Sequence, residues 1–145
     1  MYDGNEISWA AAEAEGAFGK AVRARRRASI MRQILRRCVA CTRLLVVDAN
    51  DVGPSVGRGG VRDIPLDGIV ASVEPNRAAQ FDSEFRPSRP ARNRWLSLWF
   101  AEQRGAVLPP ISVAAIGDAY AIRDGHHRVS VARARGALTI TAVVA

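Results

Sequence analysis

The sequence predicts an α/β (α+β) protein: a long, basic helical region over 1–48, a Gly/Pro linker over 49–62 and a compact α/β domain over 63–145. Three observations predict it. Residues 5–47 contain no proline and are dense in alanine between Ala10 and Ala17, which favours helix. Asp48–Gly60 concentrates Gly, Pro, Asn and Asp, the residues of turns and linkers. Beyond it, short runs rich in Ile and Val alternate with runs of helical spacing, and a chain of 145 residues is long enough for one such domain to build its own core.

Taken in order, the N-terminal region is expected to be amphipathic. Ile30, Ile34, Cys38, Cys41 and Leu45 fall on one helical stripe, widened by Met31, Leu35 and Thr42. Arg25, Arg32, Arg36 and Arg43 fall on the opposite side. Such an apolar face needs a cover, either the rest of the chain or a second copy in a homo-oligomer. Cys38 and Cys41 form a Cys-x-x-Cys on that stripe and read as core cysteines, with a zinc- or disulfide-bridged dimer as the alternative. Gly57-Arg58-Gly59-Gly60 lacks the Gly-Lys-Ser/Thr ending of a phosphate loop and reads as linker.

Ile64–Val70 predicts a short strand, and the proline-punctuated stretch 74–90 predicts loop. Ala91–Arg104 places Trp95, Leu98, Trp99 and Glu102 at helical spacing, with the two tryptophans read as core. Gly105 ends that helix and Pro109-Pro110 prevents its resumption. Ile111–Ile116 and Ala119–Arg123 predict a hairpin about Gly117-Asp118. Gly125 opens a helix that runs to Arg135 and stops at Gly136, and Leu138–Val144 is a final strand.

Between Lys20 and Arg43 lie nine bases and no acid; the other residues hold 12 bases and 14 acids and sum to −2. The whole positive excess therefore sits in one segment, which points to an anionic partner, DNA among them. No aromatic residue interleaves these bases, so stacking on single-stranded bases is not expected. No apolar run approaches 18 residues, so no membrane partner is expected. Met1–Glu15 carries four acids and no base, unlike a secretory leader, and the expected location is cytoplasmic.

The richest chemistry lies in Tyr120-Ala-Ile-Arg-Asp-Gly-His-His-Arg-Val-Ser-Val-Ala132, a strand, a tight turn and a helix start. A helix N-terminus offers free N–H groups and partial positive charge. Gly125 would let a ligand approach closely, and Arg128 can grip phosphate in a fork. Asp124 is open to three roles: helix cap, metal ligand or partner of a substrate hydroxyl. His126 and His127 point about 100° apart on a helix and cannot easily share one ion, so no metal site is expected. The plainer reading is an ordinary cap with surface histidines.

This run, with Ile-Pro-Leu-Asp-Gly-Ile-Val upstream, resembles the ParB/sulfiredoxin superfamily over roughly 63–145. The resemblance implies a small mixed-sheet α+β domain. Gly125, Arg128 and Ala132 match the ParB Gly-x-x-Arg-x-x-Ala-Ala signature, with Val131 in place of the first Ala. In that family the motif binds the phosphates of CTP. Sulfiredoxin has Gly-Cys-His-Arg there, and a related free-serine kinase has Asp-Gly-His-Thr-Arg. The resemblance thus implies a nucleoside triphosphate, CTP or ATP, with or without Mg²⁺, held at Asp124, Gly125, His126, His127 and Arg128. Arg77 and Phe81 loosely match a further ParB box, which makes Arg77 a second phosphate contact.

His126 stands where sulfiredoxin has its catalytic cysteine, so sulfinic-acid reduction is not expected. The helix-turn-helix and dimerisation domains of ParB have no counterpart in the stretch, so operator-specific clamping is not expected either. The first expectation is a nucleotide-binding module, linked to DNA or partition. The alternatives are a superfamily enzyme (ATP-dependent kinase, nucleotide hydrolase or ParB-like nuclease) and a DNA-binding protein acting through Arg25, Arg32, Arg36 and Arg43. An enzyme would need a carboxylate, and Glu74, Asp82, Glu84 and Asp124 are the candidates.

Overall fold

The computed structural model describes residues 4–35, 42–52 and 60–144. Cys38, Cys41, Arg36 and Gly57–Gly59 lie outside the described residues. The fold is α+β. Helix α1 (Gly4–Ile34) leads, followed by strands β1 (Leu45–Val46), β2 (Gly60–Pro65) and β3 (Ile69–Ser72), and the one-turn helix α2 (Pro75–Ala78). Helix α3 (Arg92–Gln103), the hairpin β4 (Ile111–Ile116) and β5 (Ala119–Asp124), helix α4 (His126–Ala134) and strand β6 (Thr139–Val144) complete it.

The six strands form one mixed sheet in the order β1-β3-β5-β4-β6-β2. β3 is parallel to both β1 and β5, the β4–β5 hairpin is antiparallel, β6 returns parallel to β4, and β2 closes antiparallel to β6. β6 buries Ile140, Ala142 and Val144 and exposes the alternate residues, the period-two signature of a sheet with one covered face. The main core lies under that face and includes Ile64, Leu66, Ile69, Phe81, Phe85, Ile111, Ile122 and Val129.

The helix expected over 5–47 is shorter. It ends at Ile34, and Leu45–Val46 is a strand. The reason is tertiary. Leu45 pairs with Ala71, Val46 with Ser72, and the Val47 N–H donates to the Ser72 carbonyl at 2.9 Å, so this segment satisfies the edge of β3. The expected strand over 64–70 is likewise divided. Pro65 ends β2, a 3₁₀ turn spans Leu66–Gly68, and Ile69 begins β3 across the sheet. The loop expected over 74–90 is broken by α2 and by a 3₁₀ turn at Arg89–Ala91.

The apolar stripe of α1 is also corrected. Ile30, Met31, Ile34 and Leu35 are exposed, and Leu45 belongs to β1. What the helix buries against the chain is an earlier stripe, Ala14 and Phe18 flanked by Ala17, Ala21 and Val22, at the i, i+3, i+4, i+7, i+8 spacing of a packed face. Phe18 lies 5.4 Å from the Trp95 ring, Trp95 stacks on Trp99 at 5.4 Å, and Arg92 pairs with Glu15. The tryptophans are core residues, as expected: Trp95 is fully buried and Trp99 nearly so.

Trp95 also ties α3 to α4, because its indole N–H donates to the Ser130 hydroxyl at 2.9 Å with both residues buried. Ser130→Ala would strand that N–H without an acceptor. The expected cost is about 1–2 kcal/mol, read as a fall of roughly 3–6 °C in Tm.

Candidate functional site

The site forms where β5 meets α4. Gly125 is the N-cap of α4, and its φ of 111° lies in the left-handed region. A Cβ there would fall 2.5 Å from Cγ2 and 2.8 Å from Cβ of Ile111, so β4 packs against the turn with no room for a side chain. The N-terminus of α4 consequently sits outside the carboxyl ends of the parallel strands β3 and β5, where α/β sheets characteristically present ligands.

Asp124 does not cap the helix, since the N-cap is Gly125 and no side chain fills that role. Asp124 instead pairs with Arg77, which brings the residue carried over from the distant box to the mouth of the helix. A cavity of about 370 Å³ opens here, lined by Arg77, Arg94, Asp124, His126, His127 and Arg128. Gln80, Gly125 and the proline segment before β4 close its sides. All six phosphate-binding candidates, Arg77, Asp124, Gly125, His126, His127 and Arg128, are brought together. Glu74, Asp82 and Glu84 do not line the cavity: the Asp82 carboxylate accepts the backbone N–H groups of Glu84 and Arg86, and Glu84 pairs with Arg86.

His126 is not a surface histidine; it is 1% exposed. Its Nε2 lies 2.6 Å from the hydroxyl of Ser72, the last residue of β3, and that hydroxyl accepts the Glu74 N–H at 2.9 Å. The Ser72 proton has two acceptors in reach, His126 Nε2 at 2.6 Å and the Glu74 carbonyl at 3.3 Å. The hydroxyl and Nε2 share this hydrogen bond, and the imidazole tautomer sets which of the two donates. Both histidine rings rest on Phe81, His126 stacked and His127 edge-on with centroids 5.1 Å apart.

Electrostatics keep the histidines neutral near pH 7. Burial is the largest cause for each and lowers the pKa of His126 to about 4, assisted by Arg77 and His127 and opposed by Asp124. His127 is lowered to about 4 by burial, then Arg94, then Arg77. The pKa of Arg128 is lowered by burial and held up by Glu102. The cavity is therefore cationic through its arginines, with neutral imidazoles as further donors.

His126 Nδ1, Arg128 Nε and Gln80 Oε1 are buried without a hydrogen-bond partner among the described residues, and all three belong to residues lining this one cavity. Buried polar groups are normally satisfied; two further unpaired atoms, Arg123 Nε and Arg133 Nε, belong to residues that do not line the cavity. Arg94, Gln80 and Ser72 escape a reading of the sequence, because α3, the turn after α2 and β3 reach the site only through tertiary packing. The i, i+4 pair Arg94 and Leu98, which shares one face of α3 on the cavity, is the one local signal that was there to find.

Among the described residues no cluster of three or more His, Cys, Asp or Glu is arranged to hold a metal ion, and no helix is long and apolar enough to cross a membrane. No family model and no curated protein matches the chain. Among solved structures, the crystal structure of sulfiredoxin from Arabidopsis thaliana is similar to 59% of this chain and 84% of its own, at 20% identity and a TM-score of 0.43.

Proposed function

We propose that this protein binds a nucleoside triphosphate, CTP or ATP, by its phosphates at the N-terminus of α4. The observation that carries the reading is the gathering of Arg77, Arg94 and Arg128 around one cavity at the N-terminus of α4. A phosphate chain supplies oxygens that accept from the guanidinium groups of Arg77, Arg94 and Arg128 and from the free N–H groups of the first turn of α4. A volume of about 370 Å³ suits a small molecule.

Magnesium fits only as a companion of the phosphates. Among the described residues Asp124 is the one carboxylate lining the cavity, and it is paired with Arg77. Mg²⁺ commonly takes one or two carboxylates together with substrate phosphates, and Asp124 would be the residue to provide one. Arg77 would then turn from Asp124 to a phosphate oxygen.

The test is a thermal-shift screen of CTP, ATP, GTP, UTP and inorganic tripolyphosphate, each with and without Mg²⁺, on the wild type and Arg128→Ala. A ligand at about 100 times its Kd stabilises by roughly 2.7 kcal/mol, which is several degrees for a chain of this size. The expected result is a shift with at least one triphosphate that Arg128→Ala abolishes. No shift with any of them would overturn the reading. Steady product release from the bound nucleotide would move the protein from binding module to enzyme.

A further inference from the structure

A second basic site lies on the other side of the molecule's sequence logic, and it owes nothing to α4. The second half of α1 runs past Thr42–Arg43, the segment that leads into β1, and past Ser88–Arg89, the segment that leads into α3. Between them lies a groove of about 600 Å³. Five guanidinium-bearing residues line it: Arg23, Arg25 and Arg26 from α1, with Arg43 and Arg89 from the facing wall. Val22, Arg26, Ser29 and Gln33 follow one another at i, i+4, i+7 and i+11, so a single face of α1 forms the floor over about 16 Å.

The walls are tied down. Arg43 and Asp82 form an antiparallel bridge, the Ser83 N–H donates to the Thr42 carbonyl at 2.7 Å, and the Ser88 N–H donates to the Gln80 carbonyl at 2.8 Å. Among the described residues, the one acid lining the groove is Asp82, which is 4% exposed and turned inward: it accepts the backbone N–H groups of Glu84 and Arg86 and pairs with the Arg86 guanidinium. Among the described residues, none of the five groove arginines has a carboxylate partner. Like charges held together without counter-charge repel one another, and an anionic occupant relieves that repulsion.

We propose that this groove binds the phosphate backbone of double-stranded nucleic acid. Its charge is carried wholly by arginine, whose planar fork matches phosphate in two hydrogen bonds. Among the described residues it has no aromatic lining, which argues against single strands held by base stacking. Among the described residues it also lacks the aromatic anchors that dominate protein–protein interfaces, with Val22 and Ile30 as its only large apolar residues. A floor of about 16 Å matches roughly half a turn of B-form duplex. The structure thereby revises the set read from the sequence: Arg25 and Arg43 line the groove, Arg32 faces a neighbouring hollow with Met31 and Leu35, and Arg23, Arg26 and Arg89 join.

The experiment is fluorescence anisotropy of the full chain with a labelled 20-base-pair DNA duplex of arbitrary sequence, titrated between 50 and 200 mM salt. If four or five phosphates are engaged, log K should fall with log salt at a slope of about −4, a loss of roughly 10²–10³-fold over that range. Arg26→Ala and Arg89→Ala should each reduce the slope by about 1, while Arg89→Lys should keep it. Arg128→Ala should leave duplex binding unchanged, which separates this site from the phosphate cavity. No binding at 50 mM salt, slopes untouched by the alanine variants, or tighter binding of the single strand or of polyglutamate would each overturn the proposal.

Discussion

Gly125→Ala is expected to destabilise the protein by about 2–5 kcal/mol. Two costs add. An L-residue at φ 111° pays roughly 1–2 kcal/mol in backbone strain. The new methyl would also fall 2.5 and 2.8 Å from Ile111 side-chain carbons, and Ile111 is a buried residue at the start of β4 with no freedom to withdraw. Overpacking of this kind costs about 1–3 kcal/mol. Gly136→Ala is the control: its φ is 79°, but a Cβ there meets nothing within 4 Å, so it should pay the backbone cost alone. Chemical denaturation of both variants separates the terms. Equal losses would mean that the β5–α4 turn moves freely away from β4, and the close approach of the helix N-terminus to the strand ends would lose its structural basis.

That turn shows what local sequence carries well. Strand, Asp-Gly and helix follow one another in Ala119–Ala134, each set by its own residues, and the hairpin, α3, α4 and β6 are legible for the same reason: pattern and breaker agree with the final structure. The misreadings come where tertiary contacts outweigh local pattern. Leu45 and Val46 continue a helical stripe on paper, yet the free edge of β3 takes them as a strand. Ile30 and Ile34 look like the buried face of α1, yet Ala14 and Phe18 do the packing, because small residues let the helix approach Trp95 closely. Asp124 looks like a cap until Arg77, 47 residues away, arrives beside it. The buried partner of His126 is a serine at the end of another strand, and nothing in the spacing of Ser72 announces it.

Acid should unfold this protein through the same two histidines that line its cavity. His126 and His127 have ordinary values of 6.5 in the unfolded chain and about 4 in the folded one. Between those values the unfolded chain binds more protons, so stability rises with pH. The contribution is complete above about pH 6.5 and is lost as pH falls towards 4. For His126, which is buried, the loss is on the order of 3 kcal/mol; His127, less deeply buried, adds to it. Denaturation at a series of pH values should show this fall, and His126→Gln, whose amide can keep a contact to Ser72, should flatten it. The difference between wild type and variant isolates the contribution of His126. A bound phosphate chain reverses the balance. It offsets Arg77 and Arg94, two of the charges that hold the histidines neutral, and so raises both pKa values. Binding should therefore take up protons, seen in calorimetry as a heat that varies with the ionisation enthalpy of the buffer, and the acid limit should move lower when ligand is present. A stability profile that is the same for wild type and His126→Gln from pH 7 to 4.5 would show that His126 protonates as readily folded as unfolded, and the buried Ser72–His126 contact would not be what orients a donor at the helix N-terminus.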